Sequence, residues 1–209
     1  ITDFAKNKNV KLLVSIDCGI TAVSEVEALN EAGIDVVILD HHEPPDQLPR
    51  AHAIINPKRK DCAYPFKGLA SVGLAFKLSQ ALTGEVNKDF LDLVCLGTIA
   101  DVAELTGENR IFVKLGLPLI QETKNKGLMA LLEVARIKGK KMQPRHVGFI
   151  LGPRINAAGR ISSADKSLNL FLSETVEEAY ECAKILEAEN LKRQKTQGDV
   201  LAEALSLVE

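Results

Sequence analysis

Two short apolar runs, each closed by an aspartate and separated by one helix's worth of chain, constrain the fold of this sequence more than any other feature. Lys11–Asp17 reads KLLVSID and Asp35–Asp40 reads DVVILD. Apolar runs of this length, rich in β-branched residues, suit strands buried in a parallel sheet. Between them, Thr21–Ala32 carries a helical pattern, with Thr21 placed as N-cap and Gly33 where a C′ glycine belongs. Strand, helix and strand in this order form a βαβ unit with a right-handed crossover. His42–Arg50 holds Pro44, Pro45 and Pro49 and reads as a loop; Ala53–Asn56 reads as a further strand.

After an irregular, basic connection over Pro57–Gly68, the remainder is largely helical. The pattern predicts helices over Val72–Thr83, Lys88–Ala100, Arg110–Thr123, Gly127–Val134 and Ala164–Leu172. Gly152–Ile161 (GPRINAAGRI) reads as irregular because it is rich in Gly and small residues. Thr175–Val208 is one long helical pattern without Pro, and its middle, Glu187–Asp199, has almost no apolar stripe. A helix polar all round commonly bridges two domains through solvent. The expected organisation is therefore an α/β domain over residues 1–172, with a parallel sheet and a largely helical second half. A long connecting helix follows over 173–209, with a second domain expected beyond it.

Composition narrows the class. The chain has 209 residues, enough for one good core, and 46% hydrophobic residues, which excludes a disordered chain. No apolar run approaches the roughly 18 residues of a membrane span. Four cysteines (Cys18, Cys62, Cys95, Cys182) show no CxxC spacing, which points to a reducing, cytoplasmic setting rather than a disulfide framework or a thiolate zinc site. Net charge is −2, but Val134–Ala164 contains no Asp or Glu and seven Lys and Arg, so the rest of the chain carries −9. Such asymmetry suggests an anion-binding surface on an otherwise acidic protein. Aromatics are only 4% and Trp is absent, so base-stacking platforms are few.

The chemistry concentrates at the strand ends. In open α/β sheets, sites form outside the carboxyl ends of the strands, so Asp17 and Asp40 are expected to face one crevice. His41 and His42 follow Asp40 directly. Carboxylates with imidazole suit a divalent ion such as Mn²⁺. Cys18, on the opposite face from Asp17 in an extended segment, is expected to be buried. Asp101, in GTIADVAEL, is a carboxylate in an apolar setting that needs a partner, which a metal would supply. The plain alternatives are a capping Asp with two surface histidines, and an N-cap at Asp101. Taken together, Asp17, Asp40, His41 and Asp101 favour a two-metal phosphoesterase centre. Arg154 and Arg160 offer planar forks for phosphate oxygens. Ser71–Gly73, at a helix start, suits either a phosphate or ordinary capping and packing. Lys58–Lys60 reads as a solvated loop, and Tyr64 and Phe66 as packing residues.

In this order and spacing, VSIDCGITA, LDHHEPP, AIINPKRKDCAYPFKGLASVGLAFKL, GTIADVAEL and GPRINAAGRI resemble the RecJ branch of the DHH phosphoesterase superfamily, single-strand-specific DNA exonucleases. The resemblance runs from about Val10 to Leu172. It implies a metal-dependent 5′-to-3′ hydrolysis of single-stranded DNA in repair and recombination, with Mn²⁺ or Mg²⁺ as cofactor and two ions in the complete enzyme. By the same resemblance, Asp17, His41 and Asp101 are the metal ligands, and Asp40 is a bridging or orienting carboxylate. His42 contacts the scissile phosphate or assists the transition state, and Arg154, Asn156 and Arg160 form a phosphate-binding segment. Single-stranded DNA is the partner implied, with a single-strand-binding protein and a helicase as protein partners, and no membrane.

Two parts of the family pattern have no match: an Asp-x-Asp strand before Asp17, and the C-terminal DHH-associated domain with its Gly-Gly-His motif. Both gaps fit a fragment, whose activity on its own is in question. Two alternatives remain at this level: a relative acting on short oligoribonucleotides or cyclic dinucleotides, and a non-catalytic replication scaffold of the same fold.

Overall fold

The computed structural model describes residues 1–161 and 163–207, the side chains of residues 160 and 161 excepted. The chain forms two compact units, residues 1–90 with 101–113 and residues 91–100 with 114–209.

The first unit opens with α1 (Thr2–Asn7), followed by β1 (Leu12–Ile16), α2 (Val23–Glu31), β2 (Asp35–Leu39), β3 (Ala53–Ile55) and α3 (Ser71–Thr83). The three strands lie in the order β1-β2-β3, all parallel, with Leu12 opposite Asp35 and Val37 opposite Ala53. The βαβ reading therefore holds. Its central strand β2 buries Val36, Ile38 and Leu39, which join Ala5, Val26, Leu29 and Ile34 in the core. The edge strand differs from expectation. On β1, Leu12, Val14 and Ile16 are exposed and only the Leu13 and Ser15 face is partly covered. An apolar run signals burial on both faces only when something lies on each, and within this unit one face of β1 has no cover.

The start of α2 also differs. Its N-cap is Ala22, with no side-chain cap bond, so Thr21 does not cap. Gly33 does take the left-handed conformation after the helix, at φ 71°. At α3 the N-cap is Ala70, again without a side-chain bond. A methyl group on Gly73 would come within 2.9 Å of Leu69, so that glycine serves close packing.

The second unit is helical: α4 (Leu91–Ala100), the later turns of α5 (Gly107–Gln121), α6 (Lys126–Val134), a single turn α7 (Pro144–His146), α8 (Gly152–Ile161), α9 (Asp165–Leu172) and α10 (Val176–Ser206). Leu128, Leu131, Val147, Leu151, Leu170 and Leu186 are fully buried in its core. GPRINAAGRI, read as irregular, is helical. Its small residues Gly152, Ala157 and Ala158 are buried and let α8 lie against α4 and α10. The wide π-helical turn Val147–Leu151 precedes Pro153. That turn accommodates a residue with no N–H to give and a ring that crowds the turn before it.

The long helix α10 is also not a free strut through its polar middle. Thr175 and Glu178 form a capping box at its start. Ala179, Ala183, Leu186 and Asn190 are buried at helical spacing, against α6, α8 and α9. Glu187 pairs with Arg154 and Glu189 with Lys166, so ion pairs replace the missing apolar stripe. Among the described residues no helix is long and apolar enough to cross a membrane.

Candidate metal centre

The ladder of the sheet runs one residue past each strand and sets the two aspartates. The Asp17 N–H donates to Leu39 O (2.9 Å) and the Asp40 N–H to Ile55 O (3.0 Å). Beyond this shared device the two residues part. Asp17 takes the left-handed conformation, φ 69°, one that Asp tolerates better than most residues. Gly19 follows at φ 111°, where an added methyl would meet the Ser15 hydroxyl at 2.8 Å. The left-handed turn breaks the strand's alternation, and Cys18, expected to be buried, is exposed.

Asp40 is 1% exposed and ringed by donors. Its Oδ2 accepts from the Ile20 N–H at 3.0 Å. Its Oδ1 accepts from the N–H groups of His41 (2.8 Å) and His42 (3.1 Å) and lies 2.7 Å from His42 Nδ1. Burial works to raise the Asp40 pKa. These bonds from Ile20, the His42 ring and the two backbone N–H groups outweigh it and hold the carboxyl below its ordinary value. In return, the bond to Asp40 raises the pKa of His42 above its ordinary value. With Nδ1 held by Asp40, His42 keeps Nε2 for the crevice, the arrangement by which a carboxylate fixes the orientation of a metal-side histidine.

His41 lies on the other side of the turn. Its Nε2 is 3.2 Å from Asp17 Oδ1 and 3.7 Å from Asp101 Oδ2. That nitrogen is buried and makes no hydrogen bond. Asp17, His41 and His42 each offer a ligand atom within 4.8 Å of the others. Asp101, just after α4, has its pKa raised, first by burial and further by the charge of Asp17, against the opposing pull of His41, His42 and Lys58. An orphaned imidazole nitrogen facing two carboxylates, one pushed toward its neutral form, is an electrostatic arrangement that a cation would complete. The donor set, oxygen and imidazole nitrogen without thiolate, fits Mn²⁺ or Mg²⁺.

Beside these residues opens a crevice of about 400 Å³ whose lining includes His41, His42, Glu43, Lys58, Asp101 and Glu104. Two of its features lay beyond the sequence reading. Lys58, read as part of a solvated loop, lines the crevice. Asn56 is 2% exposed, donates from Nδ2 to His42 O (2.9 Å) and accepts at Oδ1 from the Lys58 N–H (2.8 Å). An Asn-Pro pair directly after a strand was the available signal. Around them, Arg59 is bonded to Asp61 and Ile54 O, and Tyr64 to Glu108.

The structure thus brings Asp17, Asp40, His41, His42 and Asp101 together in the first unit. Arg154, Asn156 and Arg160 belong to α8 of the second. The Arg154 fork is directed at Glu187, with Nε 2.5 Å from Oε2 and Nη2 3.1 Å from Oε1, and Nη1 donates to Ile150 O. Asn156 is exposed. The side chain of Arg160 lies outside the described residues.

A parallel α/β unit with carboxylates and paired histidines at its strand ends presents a candidate divalent-metal site. The comparisons with known proteins say what such a chain is similar to. Residues 2–98 match the model described as DHH family, N-terminal domain. That match covers just under half of the chain, and the similarity to RecJ runs nearly its whole length. The chain is 43% identical over 204 residues to the single-stranded-DNA-specific exonuclease RecJ of Bacillus subtilis, covering 98% of this chain and 26% of that protein. The crystal structure of RecJ with Mn²⁺ from Thermus thermophilus superposes with a TM-score of 0.85 at 31% identity, covering 99% of this chain and 32% of that one. The Mg²⁺ complex from the same organism gives 0.69 at 27%, over 97% and 35% of the two chains. The chain therefore spans about a quarter to a third of the length of these relatives.

Proposed function

We propose that this chain carries the metal centre of a 5′-to-3′ exonuclease that hydrolyses the phosphodiester bonds of single-stranded DNA in repair and recombination. The observation that supports it most is the convergence of His41 Nε2, unbonded, on Asp17 and Asp101, beside a His42 held by Asp40. Asp17, His41 and Asp101 would hold Mn²⁺ or Mg²⁺. Bound there, a divalent ion lowers the pKa of water and neutralises phosphoryl charge. His42 supplies its Nε2 to the phosphoryl oxygens, as a donor when protonated, and Asp40 keeps that ring oriented. The choice of single-stranded DNA leans on the relatives, which are named for it. Arg154, Asn156 and Arg160 are proposed as a phosphate-binding segment, with Arg154 exchanging Glu187 for phosphate. A cytoplasmic setting, and a single-strand-binding protein and a helicase as partners, complete the proposal.

The test is Mn²⁺-dependent nucleotide release from a 5′-phosphorylated single-stranded oligonucleotide. Duplex DNA and a dinucleotide serve as comparison substrates. Release from the long single strand, abolished by chelation and by Asp101→Ala, is the expected result. Cleavage of the dinucleotide alone would move the assignment to the short-oligonucleotide enzymes. The absence of both cleavage and Mn²⁺ binding would favour a scaffold.

A further inference from the structure

The crevice beside the metal centre is acidic: Glu43 and Glu104 line it together with Asp101. A phosphodiester strand entering it meets like charge except where a cation answers. Among the described residues lining the crevice there is one lysine and no arginine, and that lysine is Lys58. Its ammonium lies 3.0 Å from Glu43 Oε1, and its side chain is 30% exposed, with Glu43 at 81%. A pair this open to water is held weakly and exchanges readily for another anion. The neighbouring cation Arg59 is committed elsewhere, to Asp61 and to the Ile54 carbonyl.

The position of Lys58 is not left to a loose loop. Asn56 is buried with both ends of its amide used, one on the His42 carbonyl and one on the Lys58 N–H. One side chain therefore fixes the backbone of the histidine and the backbone of the lysine relative to each other. The same lysine acts through space on Asp101, opposing the effect of burial on that carboxyl.

We propose that Lys58 is a substrate contact of this site, its ammonium taking a non-bridging phosphate oxygen of the bound strand, and that Asn56 is the positioning residue that keeps it in register with His42. The inference rests on the reading of the crevice as a phosphodiester site. Lysine suits the role because it is a compact point charge on a flexible stem that can leave Glu43 for phosphate without a fixed bidentate geometry.

The test is the binding of a single-stranded oligonucleotide with phosphorothioate linkages at its 5′ end, followed by fluorescence anisotropy in Mn²⁺ over a series of salt concentrations. Lys58→Met is expected to weaken binding about tenfold and to reduce the slope of log Kd against log salt by about 0.7, one phosphate contact on a single strand. Lys58→Arg should restore the slope. Mn²⁺ affinity, measured by calorimetry, should not fall in Lys58→Met. Asn56→Ala should lose as much oligonucleotide affinity as Lys58→Met, and the double variant no more than the worse single. If the parent chain binds the strand and Lys58→Met binds it equally well with the same slope, the Lys58 contact is overturned and the exonuclease reading stands. If Mn²⁺ affinity falls in step with strand affinity, Lys58 acts on the metal centre and the proposal is likewise overturned. If the parent chain binds no single strand in Mn²⁺, the substrate reading fails and carries this inference with it.

Discussion

Asp17 and Asp40 stand at the ends of neighbouring parallel strands, each one residue past its strand and each with its N–H on the next strand's last carbonyl. In the sequence they are equivalent. In the structure, the Asp17 side chain is 58% exposed, on a left-handed backbone, beside a histidine nitrogen that gives it no hydrogen bond. Asp40 is buried and accepts from Ile20, His41 and His42. One carboxylate keeps its oxygens available to a cation, and the other uses them to hold two loops and an imidazole. The difference teaches that a strand-end acid is assigned by the donors around it, and that the left-handed turn at Asp17 is what separates the two roles.

The largest expected effect comes from removing an available carboxylate. Asp17→Asn and Asp101→Ala should each lower Mn²⁺ affinity by more than the ~10–100-fold typical of an outer partner. Isothermal titration with Mn²⁺ checks this, and urea unfolding should show near-parental stability for Asp17→Asn because that side chain is exposed. Next comes Asp40→Asn. Its amide turns one donor toward the N–H groups that now face an acceptor, so it should cost about 1–3 kcal/mol of stability together with ~10–100-fold in Mn²⁺ affinity or hydrolysis. If Asp17→Asn and Asp40→Asn gave the same pair of effects, the division of roles would collapse.

A pH titration sharpens the same contrast. The Asp40 carboxyl is held below its ordinary 3.8, so its contribution to stability is present above that value and fades as pH falls through the lower folded value. The His42 pKa is raised above its ordinary 6.5, so its contribution is full below 6.5 and is lost as pH rises through the higher folded value. The pair is therefore fully stabilising between about 4 and 6.5. In metal-free protein followed by NMR, His42 should titrate at higher pH than in Asp40→Asn. An unchanged His42 midpoint in that variant would contradict the role given to Asp40.

How far the sequence carries depends on whether a signal is local. The βαβ unit and the placing of Asp17, Asp40, His41 and His42 at strand ends follow from apolar runs whose length and spacing are visible in the chain. Cys18 did not follow, because the left-handed backbone at Asp17 is a property of the folded turn, and alternation was carried one residue too far. The exposed face of β1 was equally invisible, since an apolar run does not say how many layers will cover it. GPRINAAGRI misled through its glycines and proline, which signal irregularity locally, yet the segment is helical and its Gly152, Ala157 and Ala158 serve close helix packing. The polar middle of α10 misled for the opposite reason: Glu187 and Glu189 find their partners in Arg154 and Lys166, more than 20 residues earlier in the sequence. Asn56 was legible only as the end of a strand and Lys58 only as part of a loop, because the bond from Asn56 to the His42 carbonyl joins residues that no short-range pattern connects.

The smallest expected effect concerns the loop that Asp40 holds. Ile20 gives its N–H to Asp40, and Thr21 follows it at the approach to α2. If Asp40 is what anchors this approach, Thr21 contributes little, because Ala22 is the N-cap and makes no side-chain cap bond. Thr21→Ala should then change stability by less than about 0.5 kcal/mol, as surface substitutions generally do. Thr175→Ala is the internal standard. It removes a hydroxyl that accepts from the Glu178 N–H in a capping box, and should cost about 1 kcal/mol. Urea midpoints for the two variants decide the matter. A Thr21→Ala loss equal to that of Thr175→Ala would mean that the threonine caps α2 in solution. The loop between β1 and α2 would then have two anchors, and the contrast between a buried, organising Asp40 and an available Asp17 would owe less to Asp40 than its hydrogen bonds suggest.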